Sequence, residues 1–275
     1  TLRWIHVPAL HAAVRVEAWA DRFAQALERL VALDGAAARA AWTPSDFPLA
    51  GLDAGTLPLV LGDGEIDDIY PLTPAQEGML FHTVEQAAGS GVYVQQVTAR
   101  LDTPLGAEGL TRAWQAVLEA YPNLRAGFAW AGLPRPLQRI PRRAELPVAV
   151  LDWRALDEAG QAAALDRFLA EDRARGFDPA TPPLMRVTLA RTGETAWQVV
   201  WSHHHLLLDG WSMPIVFRGV MRALAAIARG ESPDLPGDHG FRDHVARLAK
   251  TDPVEAAGFW RERLADAPEA TFPAA

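Results

Sequence analysis

Apolar positions along the chain follow two periods, one helical and one alternating. Between Val16 and Leu33, the residues Trp19, Phe23, Leu27, Leu30 and Val31 recur at helical spacing and predict a helix with one apolar stripe. The same spacing sets Leu110, Trp114, Val117 and Leu118 on one side of a helix over Gly106 to Ala120, and makes Leu156 to Ala174 an amphipathic helix. Thr73-Pro74-Ala75-Gln76 reads as a capping box with proline at the first helical position. It opens a helix through Met79 and Leu80 toward Val84, which Gly89-Ser90-Gly91 breaks. Further helices are expected over Ser212 to Ala228, Phe241 to Lys250 and Pro253 to Leu264. Strands are expected at Val92 to Leu101, Leu124 to Trp130 and Pro147 to Asp152, and Thr1 to Pro8 is strand-like. Leu184 to Ala190 and Ala196 to His203 pair as a hairpin across Arg191-Thr192-Gly193-Glu194. Strands alternating with helices predict an α/β layered domain with a mixed sheet flanked by helices.

One stretch breaks both periods. From Asp34 to about Asp67 an Ala-rich run leads into Thr43-Pro44-Ser45-Asp46-Phe47-Pro48-Leu49, followed by Gly51, Asp53, Gly62 and Asp63. Proline fixes φ and Gly and Asp make turns, so this is linker chemistry. Phe47, Leu49 and Leu52 predict that the linker clings to a surface. The strand and helix before it cannot make a core of their own. Either they pack on the main body, or they are the tail of a preceding domain.

Composition narrows the partners. Of 275 residues, 26 are Lys or Arg and 34 Asp or Glu, a formal charge of −8. That balance disfavours nucleic acid, whose phosphates need a basic face, and an anionic membrane surface. No apolar run approaches the roughly 18–20 residues that span a bilayer. Cysteine is absent, which removes disulfides, thiolate nucleophiles and Cys-ligated zinc, and fits a reducing cytoplasm.

Candidate chemistry concentrates in Ser202-His203-His204-His205-Leu206-Leu207-Leu208-Asp209-Gly210-Trp211-Ser212. Three histidines close an apolar strand, an acid follows four residues after the last, and a glycine lets the chain turn sharply into a helix. Histidine titrates near neutrality and can take or give a proton, and the leucines favour its neutral form. Neighbouring histidines on a strand face opposite ways, so His204 and His205 do not readily share an ion, and no metal is expected. No Gly-x-Ser-x-Gly elbow is present, which counts against a Ser-His-Asp hydrolase.

His204-His205-x-x-x-Asp209-Gly210 resembles the HHxxxDG signature of condensation domains in nonribosomal peptide synthetases, shared with chloramphenicol-acetyltransferase-like acyltransferases. Tyr70-Pro71-Leu72-Thr73-Pro74-Ala75-Gln76-Glu77-Gly78-Met79-Leu80-Phe81-His82 is similar to the family's opening motif. Tyr121-Pro122-Asn123-Leu124-Arg125 resembles its second motif, though the usual Arg-His start is missing. Phe177-Asp178 through Pro183-Leu184-Met185-Arg186 also follows family usage. Trp211-Ser212, Leu207-Leu208 and the Gln-Glu-Gly-Met-Leu-Phe-His opening look like the subtype that accepts a D-configured donor.

The resemblance implies a two-lobed fold, with this chain covering the N-terminal lobe alone. Residues 1–42 then resemble the C-terminal tail of an epimerization-like domain, 43–66 the interdomain linker, and 67–275 the lobe. It implies amide formation between a donor thioester and an acceptor amine. Upstream and downstream peptidyl carrier proteins and adjacent synthetase domains would be the partners. No cofactor is bound directly; the carriers bring phosphopantetheine arms. His205 takes the catalytic position, either as a base or by orienting the amine. His204 packs or hydrogen-bonds inside the lobe. Asp209 is structural, in a salt bridge with Arg125 first or Arg186 second, so that Asp209→Ala is expected to lose folding. Gly210 permits close backbone approach, and its amide is a candidate oxyanion donor. Trp211 lines the substrate tunnel or packs in the core, and Ser212 borders the tunnel or caps a helix. The alternatives are an epimerization domain of the same superfamily or a non-catalytic docking platform for carrier proteins.

Overall fold

The structure, a computed structural model, describes residues 3–32, 42–62, 64–86, 91–237 and 240–266. Expectations placed on Thr1, Leu2, Leu33, the Ala-rich run, Asp63 and the Gly89-Ser90 break lie outside these residues. The chain divides into two compact units, residues 1–46 and 47–275.

The first unit carries helix α1 (Ala13–Val31), whose apolar stripe is exposed at Trp19, Phe23, Leu27, Leu30 and Val31. Residues 3–7 form no strand, contrary to expectation. A 3-10 turn at Pro44–Asp46 completes the described part.

Among the described residues, the second unit contains two sheets. The smaller joins β1 (Ile66–Pro71), β4 (Leu137–Pro141) and β3 (Gly127–Ala129) in the order β1-β4-β3. Phe47, Ala50, Leu57 and Val60 pack against Ile66, Ile69 and Leu137 of this sheet. The segment predicted as linker therefore changes character at Asp46, because its later apolar residues belong to the core. The larger sheet runs β2-β7-β6-β5, built from β2 (Val94–Asp102), β5 (Val148–Asp152), β6 (Met185–Arg191) and β7 (Ala196–His204). β5 pairs parallel to β6 and the other pairs are antiparallel, so the sheet is mixed.

Helix α2 (Pro74–Glu85) starts at a complete capping box between Thr73 and Gln76. Helices α3 (Ala107–Ala120), α4 (Glu158–Arg175), α5 (Met213–Ala228), α6 (Gly240–Leu248) and α7 (Pro253–Arg263) follow. Side chains of a strand alternate between faces, and β7 uses this twice. Trp201 meets Trp114 of α3 and Phe217 of α5 at ring separations of 5.4 Å each. In the opposite direction, Ser202 stands in register with Gln96 of β2 and Arg186 of β6. All three side chains grip Asp172 on α4. Asp172 also takes a 2.8 Å bond from Arg175, and the Arg186 guanidinium lies 4.1 Å above the Phe177 ring. The inward side of α4 is thus anchored by a carboxylate as well as by Ala164, the other buried residue of that helix.

Candidate functional site

The histidines occupy the end of β7 and the turn after it. Tyr93 prepares their place. Its φ of +57° is rare for a bulky residue, and its carbonyl accepts the His205 amide at 2.9 Å. Gly91, at φ +61°, leads into that turn; a Cβ there would meet the Arg173 carbonyl oxygen at 2.9 Å.

His203 is buried and its ring stacks obliquely on Trp201, 4.6 Å between centroids. Burial pushes it down to about 4, with the neighbouring His205 acting the same way. Its Nε2 is buried without a hydrogen-bond partner among the described residues. His204 is buried too, but satisfied at both nitrogens. Leu206 N–H donates to its Nδ1 at 3.1 Å, so Nε2 carries the proton and points to Thr83 Oγ1 at 3.2 Å. The Thr83 hydroxyl donates onward to the Met79 carbonyl. Burial, then the nearby His205 and His203, push His204 down to about 4. The neutral form is favoured, and both ring nitrogens are engaged inside the fold.

His205 differs. It is half-buried and borders a cavity of about 650 Å³ that also touches Thr73, Met79, Asn123, Phe241 and His244. Its Nδ1 lies 2.8 Å from the Leu208 carbonyl oxygen. A carbonyl only accepts, so Nδ1 carries a proton, and in the neutral ring Nε2 is the nitrogen with the lone pair. An imidazole in this form can accept a proton or a hydrogen bond at Nε2.

The structure corrects the expected salt bridge. Arg125 donates to Asp67 at 2.9 Å and to the carbonyls of Leu118, Glu119 and Pro141. There it satisfies carbonyls at the C-terminal end of α3. Arg186 is committed to Asp172 at 2.6 Å. Asp209 instead accepts from the Ser212 amide and hydroxyl at 2.9 and 2.7 Å, and among the described residues it forms no ion pair. It is exposed, and the Ser212 hydroxyl bond, followed by backbone donors, holds its carboxyl below the usual range. The physical reason is local: an Asx turn closes within three residues, whereas both arginines are drawn to partners elsewhere in the fold.

Gly210 is exposed, lies outside the left-handed region, and a Cβ there meets nothing within 4 Å. The sharp turn therefore does not require glycine. Trp211 is 88% exposed, so it does not pack in the core. Ser212 stands at the N-cap of α5, yet its side chain makes no capping bond: its backbone is already helical at φ −76° and ψ −27°, and its hydroxyl donates to Asp209.

Sequence reasoning passed over three groups that meet the histidine loop: Tyr93, Gln76 and Asn123. Gln76 donates to the Leu206 carbonyl at 2.9 Å and Asn123 donates to that of Leu207. Both sit inside motifs already singled out, and the signal was an amide side chain in an otherwise apolar neighbourhood.

Residues 66–275 match the family model described as Condensation domain. One of the proteins that make up the linear gramicidin synthase of Brevibacillus parabrevis is 41% identical over 264 residues, covering 96% of this chain and 5% of that protein. Bacitracin synthase 1 of Bacillus licheniformis is 32% identical over 225 residues, covering 81% of this chain and 4% of that protein. The chain thus spans about a twentieth or less of these curated relatives. The first condensation domain of the calcium-dependent antibiotic synthetase, solved with a substrate analogue, superposes with a TM-score of 0.62 at 20% identity. That likeness covers 73% of this chain and 48% of the solved one, and it is one of fold. The family match over residues 66–275, together with these relatives, shows that the chain belongs to the condensation-domain family of nonribosomal peptide synthetases.

Proposed function

We propose that this chain is the N-terminal lobe of a domain that forms amide bonds between carrier-bound substrates, and that His205 acts at the reacting amine. The observation that carries the reading is the His205 ring. It borders a cavity, with Nδ1 spent on Leu208 and Nε2 left as the accepting nitrogen of the neutral ring. The acceptor α-amine attacks the donor thioester carbonyl. A C–N bond forms, the C–S bond breaks, and the departing thiolate takes up a proton. Nε2 accepts the proton lost by the amine or orients that amine by a hydrogen bond. The thioester is already activated, and no further cofactor enters the step. The donor and acceptor arrive on phosphopantetheine arms of upstream and downstream carrier proteins.

Asp209 shapes the turn that leads from the cavity to α5. Trp211 and Ser212 border the substrate tunnel, and Gly210 leaves its backbone open beside it. The D-donor features of the loop and the opening motif, with residues 1–42 as the tail of an epimerization-like domain, support a D-configured residue on the donor. The cytoplasm, where synthetases find their loaded carriers, is the site of action.

The test is reconstitution of the two-lobed domain with donor- and acceptor-loaded carriers. A new amide on the acceptor carrier, reduced about 10²-fold or more by His205→Ala, is expected. Exchange of the donor α-hydrogen with solvent deuterium and no amide would assign epimerization instead. Neither reaction would leave a docking platform and overturn the proposal.

A further inference from the structure

The turn after β7 exposes consecutive carbonyls, and each is taken by a different side chain. Leu206 O accepts from Gln76 Nε2, Leu207 O from Asn123 Nδ2, and Leu208 O from His205 Nδ1. The donors come from separate places: the first turn of α2, the turn at Pro122–Arg125 after α3, and the loop itself. Backbone amides of the same turn are also committed, His205 N to Tyr93 O and Leu207 N to His204 O. The loop is therefore fixed from outside at the two peptides that immediately precede the Leu208 carbonyl.

We propose that Gln76 and Asn123 are positioning residues for His205: by holding the Leu206 and Leu207 carbonyls they aim the Leu208 carbonyl at Nδ1, and so leave Nε2 as the bare nitrogen. This rests on the reading that His205 serves the reaction, but its geometry stands apart from any turnover. Which nitrogen of a neutral imidazole is protonated follows the hydrogen bond made by the other end. Rotation of the Leu208 peptide would remove the acceptor from Nδ1 and free the ring to adopt the other tautomer.

The chemistry of both amides fits this task. Gln76 divides its ends: Oε1 accepts from the Thr73 amide at 3.0 Å and completes the capping box, while Nε2 reaches across 130 residues of sequence to the loop. Its neighbour Gln138 braces the same oxygen at 3.3 Å and also donates to the Pro71 carbonyl. Asn123 uses its NH2 on Leu207, whereas its Oδ1 is buried with no partner among the described residues. A side chain that served packing alone would gain nothing from a buried unpaired oxygen. The donor is the end of Asn123 that has a job.

The experiment reads imidazole tautomers in this chain by two-bond nitrogen–proton correlation after 15N-histidine labelling, at pH 8. The parent should show His205 protonated at Nδ1 and His204 protonated at Nε2, opposite forms in adjacent residues. Asn123→Leu keeps the side-chain volume and removes the donor. It should cost His205 its single tautomer and leave His204, held by Leu206 N and Thr83, unchanged. Gln76→Glu keeps the acceptor of the capping box and removes the donor to Leu206, and should act in the same direction. It carries the comparison if Asn123→Leu fails to fold. A parent His205 protonated at Nε2 overturns the proposal. So does a His205 that stays wholly Nδ1-protonated in a folded variant. Loss of amide formation in His205→Ala is a separate measurement, so failure of the functional reading and failure of this positioning are told apart.

Discussion

Two aspartates illustrate how residue environment decides cost. Asp172 is buried and answers Arg186, Arg175, Ser202 and Gln96. Burial works against its charge, but the Arg186 and Ser202 bonds outweigh this and hold the carboxyl below its ordinary value. Removing it strands the Arg186 guanidinium inside the protein, which costs about 3–5 kcal/mol. Asp209 is exposed and closes one local turn, so Asp209→Ala should cost about 1 kcal/mol. Urea unfolding of Asp172→Ala and Asp209→Ala should show that order; the reverse would restore the buried ion pair expected for Asp209. The sequence marked Asp209 because it lies inside a recognisable motif. Nothing marked Asp172, since its partners come from β2, β6 and β7 and meet only when the strands are in register.

At the scale of an element, β7 combines an apolar strand with titratable rings. His203 and His204 are both pushed down to about 4 by burial, from an ordinary 6.5. The unfolded chain therefore takes up protons first as pH falls. Stability present above pH 6.5 is lost progressively toward pH 4 and levels off below it, by roughly 3 kcal/mol per ring at most. His203→Phe keeps an aromatic ring on Trp201 and removes the orphaned Nε2. It should flatten the stability slope between pH 4 and 6.5 by about half while leaving stability at pH 7 within about 1 kcal/mol. Urea midpoints at several pH values measure this, and an unchanged slope would mean that His203 titrates normally in the fold. The β6–β7 hairpin was legible because its apolar strands flank a polar turn that contains Gly193. β4 was not. Gln138 is fully buried there, bonded to Pro71 and Gln76, and a polar residue facing the core erases the alternation that reveals a strand. β1 was not expected either, because Asp67 and Asp68 serve Arg125 and Arg242 and make its first half read as a loop.

Across the whole molecule, the division between units falls inside a segment whose composition gave no warning of it. Pro44, Pro48, Gly51 and Gly62 mark the entire stretch as turns, and Phe47, Leu49 and Leu52 point to a surface beneath it without marking where the core begins. Phe47 is 1% exposed, and Ala50, Leu57 and Val60 join it over the β1-β4-β3 sheet. A chain that starts at Phe47 keeps every one of these residues and should unfold in urea at the midpoint of the second unit in the full chain. A chain that starts at Gly64 uncovers Ile66, Ile69 and Leu137. Full burial of a large apolar side chain is worth about 1.5–3 kcal/mol, so this loss should reach several kcal/mol and expose a dye-binding apolar surface. Phe47→Ala in the full chain isolates the largest contributor and should cost about 3–5 kcal/mol through the cavity it leaves. If the chain starting at Gly64 were as stable as the one starting at Phe47, residues 47–62 would be a tether lying on a finished domain. The greater loss makes them part of the core that holds β1, and with it the Asp67 partner of Arg125, in place.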